Sequence, residues 1–287
     1  MVEFNKEILN KIIAWAEKED HIRVVMLTGS LAGKGPKDEL SDYDIALFTT
    51  DIEKYAGDDS WIHGIEKVWV YEPCVLRKGD KEYSTRLVVY KDGLQVDYAI
   101  FDLGHLNDLK QAKMLPVEYN LGYEILLDKD DLTKDLQPAT YEYPYSQKPT
   151  QEELDSVLKV FFFEAFKEAK ALVREDLWYA KIRDWSIKKR LLKMIEWHEK
   201  VKHGWNYDTN CDAKRMNTWV SPEAWKKAHE TFAHFDAVDS WEKLMNTLEL
   251  FRKLSAEAAG GLGLEYPHEM AKNICDYITK LRKKRIK

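Results

Sequence analysis

Three short stretches carry side chains whose types and spacing could do chemistry on a phosphate. In Ser41-Asp42-Tyr43-Asp44-Ile45 two carboxylates stand two residues apart, and on an extended segment both leave the same face. Two carboxylates on one face repel each other unless a cation lies between them. A hard divalent cation such as Mg2+ takes carboxylate and phosphate oxygens together. Thr28-Gly29-Ser30 lies a short way upstream, where a small-residue turn offers backbone N–H groups and a hydroxyl to a phosphate chain. Asp97 sits later, between Val96 and Tyr98, and a carboxylate in so apolar a run needs a compensating partner. If the strands bearing Asp44 and Asp97 are neighbours, Asp42, Asp44 and Asp97 converge on one face of a sheet. That constellation suits nucleotidyl transfer. A cation held by Asp42 and Asp44 would neutralise a triphosphate, and Asp97 would be a further ligand or the general base for an attacking hydroxyl. Two plainer readings stay open on these residues alone: a polar strand start capped by Ser41, and an Asp97 ion-paired with a buried Arg86.

The elements that must position these residues can be read from periodicity. Residues 2–19 have helical spacing of Phe4, Ile8, Leu9, Ile12 and Ile13. Residues 23–27 and 44–49 are apolar strands on either side of the Gly-Ser turn and its polar loop. Residues 51–64 are polar, and Val68-Trp69-Val70 is a short strand ahead of Pro73. Residues 85–90 and 94–101 form a hairpin around Lys91-Asp92-Gly93, where Asp-Gly supplies the positive φ of a tight turn. A helix over 105–115 and a strand over 123–127 follow. The stretch 137–149 carries Pro138, Pro144 and Pro149 and reads as a linker. Beyond it Thr150-Gln151-Glu152-Glu153 has the form of a capping box, and helices are predicted over 151–173, 176–203, 221–235, 238–259 and 267–284.

The fold class is therefore α+β, with a mixed-sheet domain over residues 1–140 followed by an α-helical bundle domain over 150–287. A chain of 287 residues with 45% hydrophobic residues can bury two ordinary cores. The formal charge of -6 disfavours a nucleic-acid partner and suits a small cationic one. Cys74, Cys211 and Cys275 are far apart and form no Cys-x-x-Cys pair, which fits a reducing cytoplasm. No stretch approaches the apolar length of a membrane span, so no membrane partner is expected. Gly29 to Lys34 lacks the spacing of a Walker loop, and neither His198/His203 nor His229/His234 has the spacing of a metal clip on a helix.

The order Gly29-Ser30, Asp42-x-Asp44 and a later Asp97 resembles the DNA polymerase β nucleotidyltransferase superfamily. Asp38 to Ile45, Lys91 to Asp97, Leu177-Trp178-Tyr179-Ala180-Lys181, Met194-Ile195-Glu196-Trp197 and Leu250-Phe251-Arg252 together resemble the bacterial aminoglycoside 6-adenylyltransferases, or streptomycin adenylyltransferases, along nearly the whole chain. The resemblance implies a polymerase β-like catalytic domain that moves AMP from ATP, with Mg2+, onto a hydroxyl of a cationic aminoglycoside. It places Thr28, Gly29 and Ser30 on the nucleotide, Asp42 and Asp44 on the metal, and Asp97 as base or third ligand. The helical half would hold the acceptor. Glu164, Glu175, Asp176 and Trp178 are candidates there by chemistry, beside Glu196, Trp197 and a Lys181 able to reach phosphate. The plainer reading of these is a solvated helix face for the acids and core packing for the tryptophans. Three features depart from the family: Leu31 follows the Gly-Ser pair where the family has Arg, the family's Asn-Glu-Phe-Trp-Trp run is Lys159-Val160-Phe161-Phe162-Phe163, and the Gly-Lys pair expected ahead of Lys214 is absent. The rival readings are the same transfer to another small hydroxyl compound and a nucleotide-binding regulator without turnover.

Overall fold

The structure is a computed structural model describing residues 6–78 and 81–285. The chain divides into two compact units, Met1–Tyr143 and Pro144–Lys287, and the boundary falls inside the proline-bearing stretch. The first unit runs α1 (Lys6–Lys18), β1 (Ile22–Thr28), α2 (Gly29–Ala32), β2 (Tyr43–Thr49), α3 (Ile52–Ala56), a 3-10 turn (Ser60–Gly64), β3 (Val68–Lys78), β4 (Lys81–Tyr90), β5 (Gln95–Asp102), α4 (Leu103–Gln111), α5 (Val117–Asn120) and β6 (Glu124–Asp128). Of the helix predicted over 2–19, the part before Lys6 lies outside the described residues.

The six strands form one mixed sheet in the order β3-β4-β5-β2-β1-β6. Only β2 and β5 run parallel; every other neighbouring pair is antiparallel. Strand alternation sends side chains to two faces. On one face Val25, Leu27, Ile45, Leu47, Val96, Tyr98 and Ile100 pack with Ile8, Ile12 and Ala16 of α1 and with Trp61 and Ile62. On the other, Val24, Met26, Phe48 and Phe101 pack with Leu106 and Leu109 of α4 and Tyr119 of α5. Both faces are covered over most of β1 and β2, which is why these strands read as continuous apolar runs. The hairpin closes as its sequence demands. Tyr90 N–H donates to the Leu94 carbonyl at 2.8 Å, and Asp92 and Gly93 take φ of 64° and 77°.

Two expectations are corrected in this unit. β3 does not stop at Val70 but continues through Pro73 to Lys78, paired with β4 throughout. It is an edge strand, and a proline is tolerated at an edge because no neighbour needs its missing N–H. Nor does Arg86 pair with Asp97. Arg86 lies opposite Tyr98, while Leu87 lies opposite Asp97, so the two charges are on opposite faces. The buried Arg86 guanidinium instead bonds the Asp59 carboxylate, the Ser84 hydroxyl at 2.7 Å and the Thr85 carbonyl at 2.8 Å.

The second unit holds α6 (Gln151–Val173), α7 (Leu177–His203), α8 (Met216–Trp219), α9 (Pro222–His229), α10 (Ala237–Leu262) and α11 (His268–Arg285). Thr150 and Glu153 form the reciprocal capping box that their spacing announces. Gly263 ends α10 in a left-handed conformation at φ 70°. The helix predicted over 221–235 is cut at His229, where the Thr231 hydroxyl donates to the Ala228 carbonyl at 2.7 Å and competes with continuation. The α6, α7 and α10 helices share a core in which Phe161 and Phe251 stack at 3.4 Å between ring centres. No described helix is long and apolar enough to cross a membrane.

Removing the Asp59 carboxylate leaves Arg86 buried without its counter-charge. Asp59→Ala is therefore expected to destabilise the first unit by about 3 kcal/mol, read as a lower urea midpoint; a change below about 0.5 kcal/mol contradicts the pairing.

Candidate active site

The parallel ladder between β2 and β5 aligns three like pairs across neighbouring strands: Asp44 with Asp97, Ala46 with Ala99, and Phe48 with Phe101. All three pairs stand on the face that carries Phe48 and Phe101 in its core. The two aspartates are thus neighbours by register, at the open end of a row that passes through two small residues to two aromatic ones. The Gln95 side-chain amide donates to Asp97 Oδ1 at 3.0 Å. Thr28 ends β1 opposite Asp44, with its hydroxyl 3.4 Å from the Asp44 carbonyl.

Gly29 follows at φ 67°, a conformation that favours glycine. A Cβ at this position would fall 1.8 Å from Asp44 Oδ2, so the turn lies directly against the carboxylate. Small-residue character here serves two ends: the positive φ that turns the chain out of the strand, and the close approach of backbone to Asp44. Ser30 is exposed beside it.

The structure brings Thr28, Asp44 and Asp97 together as walls of one groove of about 440 Å3. Its floor includes Ala46, Ala99 and Phe101, and Leu76 and Leu87 of the β3–β4 hairpin line it as well. Glu118 of α5 is a further carboxylate on this groove. Sequence reasoning passed over Glu118 because it is a lone acid between Val117 and Tyr119 with no motif around it. The Ala46–Ala99 pair could have been found by writing the two strands in register from their aspartates. Asp42 stands two residues before Asp44, on the chain entering the strand. It immediately precedes β2 and does not line the groove.

Among the described residues no three His, Cys, Asp or Glu side chains form a ready-made metal cage. The donor set fits Mg2+ nonetheless, because that ion is commonly held by one or two carboxylates, with water and substrate phosphates completing its shell. Asp44 and Asp97 supply hard oxygen donors side by side, and the Gly29–Ser30 turn lies directly against Asp44.

In the helical unit the candidate acceptor residues fare differently. Glu164 is buried and held by Lys167 and Arg183, each at 3.0 Å, so it is engaged in structure. Lys181 donates to the Ala233 carbonyl at 3.1 Å. Trp178 is 74% exposed and meets Phe235 edge-on at 6.0 Å. Glu175 and Asp176 are exposed in the turn ahead of α7, with Glu175 at φ 65°. Glu196 bonds Lys193 at 3.3 Å, and Trp197 is buried. Of the three phenylalanines in the altered run, Phe161 and Phe162 belong to the core and Phe163 is exposed, with the Lys167 ammonium 4.6 Å above its ring. The change at Phe162 is thus a packing change.

Glu168 lies one turn beyond Glu164 and is 2% exposed. Burial drives its carboxyl well above the usual range, with Asp184 raising it further and Lys188 and Lys181 opposing. A raised folded-state value means the folded chain holds the proton more tightly than the unfolded one. This contribution is whole below the ordinary carboxyl range and is lost as pH rises through the folded value.

Residues 2–281 match the family described as Streptomycin adenylyltransferase. The chain is 27% identical to an aminoglycoside 6-adenylyltransferase of Campylobacter jejuni, over 97% of this chain and 96% of that one. It is 25% identical to an aminoglycoside 6-adenylyltransferase of Bacillus subtilis (strain 168), over 91% and 92%. Among solved structures it is similar to an aminoglycoside 6-adenyltransferase from Bacillus subtilis, at 22% identity and a TM-score of 0.48, covering 98% of this chain and 99% of that one.

Two outcomes are expected from this geometry. Gly29→Ala should cost about 1–3 kcal/mol of stability and also displace Asp44, so that activity falls by more than unfolding explains. Unfolding curves and turnover measured on the same preparation check this. Glu168→Gln should raise the melting temperature above that of the unaltered chain at pH 8, with the advantage shrinking as pH falls toward 4. An advantage equal at both pH values contradicts the buried, protonated carboxyl.

Proposed function

The chain belongs to the streptomycin adenylyltransferase family of nucleotidyltransferases, and we propose that it transfers AMP from ATP to a hydroxyl of an aminoglycoside-type antibiotic, releasing pyrophosphate. The observation that carries this reading is the Asp44–Asp97 pair set in register beside Gly29. Family membership supplies the reaction class, and the residues supply a division of labour.

In this reading the backbone N–H groups of the Gly29–Ser30 turn and the Ser30 hydroxyl hold the β- and γ-phosphates, with Thr28 at the strand end behind them. Asp44, with Asp42 one residue ahead of the strand, holds Mg2+, which when bound neutralises the triphosphate. Asp97 faces the acceptor hydroxyl and takes its proton as general base, or would serve as a further ligand to the cation, in which case the proton passes to water. The acceptor oxygen forms a bond to the α-phosphorus as the bond from that phosphorus to the pyrophosphate oxygen breaks. The Phe48–Phe101 pair and the helices behind it hold β2 and β5 rigid, which keeps the two carboxylates at fixed separation. The enzyme would act in the cytoplasm and confer resistance by blocking the drug hydroxyl.

Pyrophosphate release with ATP, Mg2+ and streptomycin tests the reading. Asp44→Asn and Asp97→Asn should each lose about a hundredfold or more in turnover while unfolding at a urea concentration no lower than that of the parent. Near-normal rates in both would remove the assignment. Activity of Asp97→Asn recovered at high Mg2+ identifies a ligand, and activity that stays low at every Mg2+ concentration identifies a base.

A further inference from the structure

A triphosphate brings more negative charge to a site than one divalent cation cancels, and in phosphoryl transfer a lysine commonly takes part of the remainder. The groove beside Asp44 offers no such group: the charged residues among its described lining are Asp44, Asp97 and Glu118. Two cations follow the Gly29–Ser30 turn in the loop between α2 and β2, Lys34 and Lys37. They are held differently. The Lys34 ammonium stands 3.9 Å from the centre of the Tyr141 ring. Lys37 is half-buried between exposed neighbours, and its ammonium folds back to donate to the Leu31 carbonyl. Leu31 follows Ser30 directly, so this ammonium lies against the backbone that leaves the turn.

We propose that Lys37 is the cation that binds the pyrophosphate end of the nucleotide, meeting an oxygen of the β- or γ-phosphate while the Gly29–Ser30 turn holds the others. The proposal rests on the adenylyl-transfer reading and adds the residue that balances the charge of the leaving group. The backbone on both sides of Lys37 is fixed. Ahead of it, Gly33 N–H donates to the Gly29 carbonyl at 3.1 Å. A Cβ at Gly122 would fall 2.6 Å from the Ala32 carbonyl, so the end of α2 is packed closely against the chain at Gly122. Beyond Lys37, the Asp38 carboxylate accepts from Leu40 N–H at 3.0 Å and from the Ser41 hydroxyl at 3.3 Å, and Ser41 N–H donates to the Asp38 carbonyl at 3.2 Å. That turn ends one residue before Asp42. Lys37 therefore stands on the connection between the turn assigned to phosphate and the strand entry assigned to the metal. An ammonium has three N–H donors, so holding the Leu31 carbonyl and meeting a phosphate oxygen are compatible, and the contacts Lys37 makes with its own chain serve to aim it. As the bond from the α-phosphorus to the bridging oxygen breaks, charge gathers on the departing pyrophosphate, where a positioned ammonium stabilises it without further reorganisation.

Calorimetric titration of the full chain with ATP and Mg2+ tests the assignment, and it needs no acceptor. Lys37→Gln removes the charge and keeps an N–H donor for the Leu31 carbonyl. It should raise Kd for ATP by about tenfold or more. Lys37→Arg restores the charge and should recover part of the affinity. Lys34→Gln makes the same change in net charge three residues away and should leave Kd for ATP within about twofold. ATP affinity unchanged in Lys37→Gln overturns the proposal and leaves the adenylyl-transfer reading in place. An equal loss in Lys34→Gln also overturns it, because a general field and not a seated ammonium would then hold the phosphates. So does a Lys37→Arg no better than Lys37→Gln, because the shape of the loop and not its charge would then matter. If the unaltered chain does not bind ATP, the adenylyl-transfer reading fails, and the Lys37 assignment fails with it.

Discussion

Everything at the site depends on one strand pairing. β2 and β5 run parallel and in a register that sets Asp44 beside Asp97. Side-by-side carboxylates are unfavourable for folding, because like charges at such spacing repel. The sheet must therefore be held by something stronger than the pair itself. That support comes from the same two strands a few residues on, where Phe48 and Phe101 pack into a cluster with Tyr83 and His105. The opposite face is closed by α1 and by Trp15 and Trp61 stacked at 5.1 Å. Apolar burial at one end of the ladder fixes the like-charged pair at the other, and a cation between the two carboxylates would offset their repulsion.

The Gly29 turn is coupled to the same pairing. Its missing side chain lets the backbone approach the Asp44 carboxylate, so the Gly-Ser turn and the aspartate are in contact and not merely close in sequence. A shift of β2 by one residue would turn Asp44 to the other face and leave Gly29 with no function. Register, glycine and aspartate therefore form one requirement.

Much of this was legible in the sequence, because the decisive signals are local. The Asp-Gly turn fixes the β4–β5 hairpin, the capping box fixes the start of α6, and apolar runs mark β1 and β2. What was not legible depends on partners distant in the chain. Glu164 looked like a free acid until α7 brought Arg183 to it. Phe162 stood out as a departure from the family's run, and only Phe251 of α10, edge-on at 5.9 Å, shows it to be a core residue. Arg86 was a plausible mate for Asp97 by composition, and only the pairing register sends it to Asp59. β3 continued through Pro73 because its place at the edge, which no local pattern reveals, makes the missing N–H harmless. Glu118 joins the groove through a four-residue helix with no periodicity of its own.

The parallel pairing also has a kinetic side. Hairpins such as β4–β5 close a short loop and can form early, whereas β2 must wait for β3, β4 and β5 to be laid down before it finds its parallel neighbour. The two aspartates therefore remain apart until that long-range closure is complete. A chain emerging from the ribosome carries no preformed pair of carboxylates, and the Asp44–Asp97 pair arrives together with the cooperative fold.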